Sequence, residues 1–205
     1  MKKIIAFVVV LAGFSGHNLV AQISVSKGVR VGLNNSTYTT SNSPVSYDAK
    51  SGFLIGGFLG LEILGPLDAE VEVLMTQKGA KYSLPGNGTT QSFQHNLTYL
   101  EVPVTAKLSL PLLPFLSWYL RAGPTFALKL GESFNVDGQD SGGTDEIAKN
   151  SDSGFVVGLG LKFSPVIAQF TVGVRYTAGL NSLLDTDDTV ELKNRVFSLV
   201  AGVGF

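Results

Sequence analysis

The feature that most constrains this chain is a period of two. After Gln22 the sequence divides into eight segments in which every second residue is apolar or small, the repeat of a strand with two unlike faces. The first holds Val29, Val31 and Leu33, and the second Phe53, Ile55, Gly57, Leu59 and Leu61. The third holds Ala69, Val71, Val73 and Met75, and the fourth Leu100, Val102, Val104, Ala106 and Leu108. The fifth and longest holds Leu116, Trp118, Leu120, Ala122, Pro124, Phe126 and Leu128. The sixth runs through Phe155, Val157, Leu159, Leu161 and Phe163, and the seventh through Ala168, Phe170, Val172, Val174, Tyr176 and Ala178. The last holds Phe197, Leu199, Ala201, Val203 and Phe205. None of these residues carries a charge at neutral pH. At the chain's 15% charged content, a random set of that size would hold about six.

The intervening positions are of another kind. They carry Arg30, Asn34, Glu62, Glu70, Glu72, Glu101, Lys107, Arg121, Lys129, Lys162, Arg175 and Thr177. Among them lie Gly32, Gly56, Gly60, Gly123, Gly158, Gly160, Gly173, Gly202 and Gly204. A soluble sandwich or ligand-binding barrel would turn the apolar face to its core and the charged face to water. A transmembrane barrel would turn the apolar face to lipid and fill its lumen with the other. Glycine decides between them: a solvated strand face has no use for residues that weaken strands, whereas a narrow lumen needs small ones beside its few large polar groups.

Connection lengths agree. Long polar connections (39–51, 79–96, 131–152, 181–193) alternate with short ones (63–67, 110–114, 164–167) that carry Gly65-Pro66, Pro111 to Pro114 and Ser164-Pro165. Long external loops alternating with tight periplasmic turns are the expected form of an outer-membrane barrel, with both chain ends at the periplasmic side. The fold class expected is all-β: an eight-stranded antiparallel up-and-down transmembrane barrel with a filled polar lumen. Aromatic residues near the strand ends predict two interfacial girdles. Tyr38, Phe53, Tyr99, Phe155, Tyr176 and Phe197 lie toward the long loops, and Phe115, Trp118, Phe163, Phe170 and Phe205 toward the short turns. Pro103 and Pro124 fall inside strands and cannot donate to a ladder, which predicts bulges or broken pairing there.

The N-terminus explains how such a chain reaches its membrane. Lys2 and Lys3 precede an apolar run from Ile4 to Phe14, and Ala21 precedes Gln22, the pattern of a cleaved secretory signal over residues 1–21. Residues 22–205 then form one domain. No later apolar run reaches the length of a membrane helix. With 44% hydrophobic and 15% charged residues the chain is not disordered. A net charge of −1, and −3 once two of the 15 basic residues leave with the signal, gives no electrostatic case for nucleic acid. The absence of Cys excludes disulfides, thiolate metal sites and a Cys nucleophile.

Several segments carry a family resemblance: Tyr99-Leu100-Glu101-Val102-Pro103-Val104, Ala122-Gly123-Pro124-Thr125 and Gly158-Leu159-Gly160-Leu161-Lys162-Phe163. To these add Arg175-Tyr176 followed by Gly179-Leu180, and the Gly202-Val203-Gly204-Phe205 ending. In this order they resemble the outer-membrane β-barrel domain family of Bacteroidetes, the porin-family or PorT-like proteins. The resemblance spans the mature chain and implies a single eight-stranded outer-membrane barrel. It implies little about activity, since the porin label is a family name.

Within that frame the candidate site is the lumen. Arg30, Glu70, Glu72, Glu101, Lys107, Arg121, Lys162 and Arg175 are expected to pair there, because an unpaired charge in a narrow lumen is costly. Such a network would close the barrel. The terminal strand, with Phe197, Leu199, Ala201, Val203 and Phe205, resembles the C-terminal signal read by the barrel assembly machinery during insertion. The expected role is structural or surface-interactive. Porin-like passive transport of small solutes is the alternative, and a lipid-modifying enzyme a less favoured one. For the enzyme, the mature chain offers a single His, His95, near Ser92 in an apparent loop and without a specified acid. No catalytic residue, cofactor or metal is assigned. The acidic stretches Asp137–Glu146 and Asp185–Asp188 with Glu191 lack calcium-loop spacing and are expected to be solvated. Expected partners are outer-membrane lipid, lipopolysaccharide and a surface protein met through the loops.

Overall fold

The computed structural model describes residues 24–40, 47–85, 90–136, 139–140, 148–183 and 192–205. The expected signal segment and both acidic stretches, apart from Gln139-Asp140, lie outside the described residues. The strands are β1 (Val25–Thr40), β2 (Asp48–Leu64), β3 (Leu67–Pro85), β4 (Thr90–Leu113), β5 (Leu116–Val136), β6 (Gln139–Asp140), β7 (Ser151–Phe163), β8 (Gln169–Gly179) and β9 (Leu192–Gly204). Each long strand pairs antiparallel with its neighbours in sequence, and β9 returns to β1 over Gly28↔Gly204 to Thr40↔Leu192. The ring is therefore closed by eight strands. The two-residue β6 only extends the top of β5 through Asn135↔Asp140 and Val136↔Gln139.

The outward face is the apolar set. Leu33 is 66% exposed, Leu59 58%, Phe126 57% and Leu159 57%, and none of the residues in the eight sets is buried. An aqueous protein would not leave this much aliphatic surface uncovered. In a bilayer the same belt is the favourable arrangement, and closing the ring leaves no unpaired strand edge in lipid.

At the lower end the connections are tight. Gly65-Pro66 joins β2 to β3 with Gly65 at φ 55°. The β4–β5 turn is narrower than Pro111 to Pro114: the strand continues through Pro111, and only Pro114-Phe115 turn, with Phe115 at φ 66°. The lower ends of β1 and β9 meet here too, where Lys27 N–H donates to Phe205 O at 3.0 Å and Phe205 N–H to Lys27 O at 2.9 Å.

The upper end corrects the expected loop lengths. A span of 9–11 tilted residues crosses the hydrocarbon, yet β3, β4 and β5 have 19, 24 and 21. The β3–β4 hairpin continues ten residues past Met75, roughly 33 Å of strand. Most of the expected 79–96 loop is this hairpin, paired as far as Pro85↔Thr90. The two strand prolines interrupt pairing without shifting it. Between β3 and β4 the ladder lapses from Val71↔Val104 to Leu74↔Glu101, beside Pro103. Between β4 and β5 it lapses from Pro103↔Thr125 to Ala106↔Ala122, beside Pro124. The register is the same on both sides of each gap, so the outcome is broken pairing and not a bulge.

Candidate functional site: the filled lumen and the rim

The strand phase that turns Val29, Val31 and Leu33 outward must turn Arg30 and Asn34 inward, and the same holds around the ring. The inward side chains stack in layers. In the lowest full layer, Arg30 Nη1 donates to Glu70 Oε1 at 2.7 Å, and Arg121 Nη1 lies 2.8 Å from the same oxygen. Glu72 receives Arg30, Arg121 and Arg175, the last through Nη2 at 2.8 and 2.7 Å to its two oxygens. Lys107 Nζ reaches Glu70 Oε2 at 3.1 Å and Asp68 at 3.3 Å. Arg30, Glu70, Glu72, Lys107, Arg121 and Arg175 are all at most 4% exposed. Arg30 also lies over the Phe58 ring, 4.6 Å from its centroid.

Two of the expected network members sit elsewhere. Glu101 belongs to the next layer, where Lys78 Nζ is 3.0 Å from it and Thr125 Oγ1 donates to it at 2.8 Å. Lys162 is only half-buried and makes no ion pair among the described residues, because Ser117↔Lys162 places it nearer the lower opening. Glu62, assigned to the inner face, is exposed at the lower end of β2. At the level of Glu101, Asn34 donates to Thr76 at 2.9 Å and to the Gln77 carbonyl at 3.0 Å, and accepts from Ser198 at 2.8 Å.

The lumen is not uniformly polar. Leu54, Leu74 and Val200 form a buried apolar cluster inside it. Small residues make the remaining room: a Cβ on Gly160 or Gly173 would lie 2.6 or 2.4 Å from the Tyr119 hydroxyl, so this facing glycine pair is the space into which the ring fits.

Above the apolar belt the contents change character. Tyr38, Leu97, Tyr99, Ala127, Leu183 and Leu192 form a buried cluster, with Tyr38 6% and Tyr99 0% exposed. Tyr38 and Tyr99 are therefore lumen residues and do not belong to the upper girdle. The other expected girdle members face outward: Phe53, Phe155, Tyr176 and Phe197 above, and Phe115, Trp118, Phe163, Phe170 and Phe205 below.

His95 lies in this upper layer, within β4 and not in a loop. Its Nδ1 is 2.8 Å from the Tyr38 hydroxyl and its Nε2 2.8 Å from Glu132 Oε1, while its ring stacks on Phe134 at 4.2 Å. Burial lowers the His95 pKa, with Glu132 opposing and Lys129 assisting. The neutral ring can accept the Tyr38 proton bond at Nδ1 and donate to Glu132 from Nε2. Burial works against the ionised Glu132 too, but hydrogen bonds from Lys129 and His95 hold its pKa below the usual carboxylate range. Glu132 escaped the sequence reading because a bulge brings it in. Thr98↔Gly131 is followed by Tyr99↔Lys129, and the extra residue, Leu130, lets Lys129 and Glu132 share the inner face 2.7 Å apart. Ser92 is exposed and has the opposite strand phase from His95, so the two do not form a nucleophile and base.

A closed eight-stranded ring with an apolar exterior and charged interior defines the class, an outer-membrane β-barrel. The chain belongs to the outer membrane protein β-barrel domain family, whose model matches residues 20–185. Among solved structures it is similar to neisserial surface protein A, with a TM-score of 0.52 at 17% identity, covering 88% of this chain and 97% of that one. It is also similar to the outer membrane protein OprG from Pseudomonas aeruginosa, with a TM-score of 0.53 at 12% identity, covering 89% of this chain and 97% of that one. A search of curated proteins finds no sequence match. The protein is located in the bacterial outer membrane.

Proposed function

We propose that this protein is a closed barrel whose role is structural or surface-interactive and is carried by its raised outer rim. The observation behind this reading is the stacking of the lumen. The Arg30–Glu70–Glu72–Arg121–Arg175 layer, the Lys78–Glu101–Thr125 layer and the Tyr38–His95–Glu132 layer follow one another along the axis, each buried. A solute would have to break ion pairs whose charges have no water to turn to. The tall β3–β4–β5 wall places polar surface well outside the hydrocarbon, where a partner or lipopolysaccharide is met. Affiliation with the Bacteroidetes PorT-like branch, drawn from the motifs around Pro103 and Pro124, is part of this proposal.

No catalytic role is included, since His95 is held between Tyr38, Glu132 and Phe134 with no accessible nucleophile beside it among the described residues. Liposome swelling in arabinose, glucose and stachyose tests the reading. Swelling rates equal to protein-free vesicles support it. Rates that rise with protein content and fall with solute size would replace it with passive transport.

A further inference from the structure

Above the belt, the wall is irregular at two places. The β2–β3 pairing shifts between Ala49 and Leu54, where Gly79 adopts φ 140°, and the β4–β5 pairing shifts at Leu130. Beside these irregularities is a cavity of about 340 Å³ whose lining includes Lys50, Gln77, Asn96, Thr98, Glu132 and Ser133. That volume falls within the roughly 300–1,000 Å³ range of small-molecule sites.

Lys50 is the cation of this cavity. It is 6% exposed, and its ammonium has no carboxylate partner among the described residues. Among the described residues its hydrogen bond is a long contact of 3.4 Å to the Ser51 carbonyl. Glu132, the carboxylate on the cavity wall, is already held by Lys129 at 2.7 Å and His95 at 2.8 Å, and accepts from the Ala148 N–H at 3.3 Å. Lys81 stands opposite Asp48 across β2–β3. A cation on a largely buried side chain, with no counter-charge beside it, is unfavourable, and an anion entering the cavity would relieve it. Burial, with Lys81 assisting, lowers the Lys50 pKa, the direction taken by a cation short of partners. The rest of the lining is neutral: Asn96 donates to Ser133 Oγ at 3.3 Å and accepts from Gln94 at 2.9 Å, and the capacity left on these groups, with the Gln77 amide and the Thr98 hydroxyl, is of the kind that sugar hydroxyls require. Thr98 is two residues above Leu100 of the belt, so the cavity lies within about 7 Å of the hydrocarbon boundary.

We propose that this cavity binds a phosphorylated sugar, with the phosphate on Lys50 Nζ and the sugar hydroxyls on Gln77, Asn96, Thr98 and Ser133. The same chemistry is offered by the phosphorylated headgroup of an outer-leaflet glycolipid and by a free sugar phosphate. The proposal goes beyond the closed-lumen reading and makes no use of it, so swelling or conductance can fail while binding holds, and the reverse.

The test is calorimetric titration of the refolded full mature chain in detergent micelles with glucosamine 1-phosphate, and with glucosamine as control. Wild type is expected to bind the phosphate and not the amino sugar alone. Lys50→Gln should weaken binding at least tenfold, and Lys81→Gln less than twofold. Ser133→Asp, which adds a carboxylate to the lining and leaves Lys50 in place, should weaken it at least tenfold as well. This second variant keeps the test valid if Lys50→Gln does not fold. Repeating the titration in vesicles with lipid A assigns the source: competition points to the membrane glycolipid, and undiminished binding to the free sugar phosphate. The proposal is overturned if wild type gives no binding at millimolar probe, if glucosamine binds equally, or if Lys81→Gln weakens binding as much as Lys50→Gln.

Discussion

Glu72 is the acceptor on which three guanidiniums converge, and replacing it by Gln isolates what the lumen charges contribute. The substitution keeps the shape and removes one of the two fully buried carboxylates that face Arg30, Arg121, Arg175 and Lys107. The new amide nitrogen would meet a guanidinium donor to donor. Removing one partner of a buried ion pair costs about 3–5 kcal/mol, because the charge left behind is uncompensated. For a domain stable by about 5–15 kcal/mol this is a large share. Urea unfolding in vesicles reads the effect through Trp118, the only Trp in the chain, which is 40% exposed on the lipid-facing side near the lower turn. At an m value of about 1–3 kcal/mol/M, the midpoint should fall by about 1–5 M. Adding Arg175→Gln removes one of the stranded cations, so the double variant should lose less than the sum of the singles by at least about 1 kcal/mol. A Glu72→Gln loss under about 1 kcal/mol, or strict additivity with Arg175→Gln, would refute the idea that the layer acts as one coupled network.

Other expectations follow from local geometry. Gly173→Ala crowds the Tyr119 hydroxyl and should destabilise by about 1–3 kcal/mol, with partial recovery in Gly173→Ala/Tyr119→Phe, measured by the same unfolding assay. Gly65→Ala meets no atom within 4 Å, so its loss, about 1 kcal/mol, reports the φ of 55° alone. His95 and Glu132 both have lowered pKa values in the folded state. Between the folded and unfolded pKa of each group the unfolded chain binds more protons, so stability is full above about pH 6.5 and falls as the pH drops. Unfolding midpoints at pH 8, 6 and 5 should show this decline, and His95→Gln should flatten the part that begins near pH 6.5.

Much of the membrane-spanning wall could be read from residue order alone. Within the hydrocarbon the solvent outside is lipid, so polarity and strand phase coincide: Val29, Val31 and Leu33 outward, Arg30 and Asn34 inward. Above the belt the phase continues but the outer solvent becomes water, so polar residues move to the outer face and apolar ones join the polar groups inside. On β1 the inward residue is now Tyr38 and the outward one Thr37, while on β9 Leu192 and Val196 point in and Lys193 and Arg195 point out. A reading keyed to one polarity therefore ends the strands too early, and takes the β3–β4 hairpin for loop and Tyr38 and Tyr99 for girdle. Lys78 and Glu132 were missed for the same reason, with the Leu130 bulge adding a break in phase that residue identity does not mark. Leu54, Leu74 and Val200 are not foreseen because the inner face is recognised in the sequence by its polar residues and glycines, not by its apolar ones. Lys162 shows the opposite error, since its phase is right but its height is not.

Closure of the lumen by layers of paired charge is tested most directly by single-channel recording in planar bilayers. Wild type should give no stable conductance of a single size at salt concentrations where porins conduct. A reproducible single-sized conductance that disappears when Glu72 or Arg121 is replaced would contradict the account, because those residues would then be lining a path and not closing one.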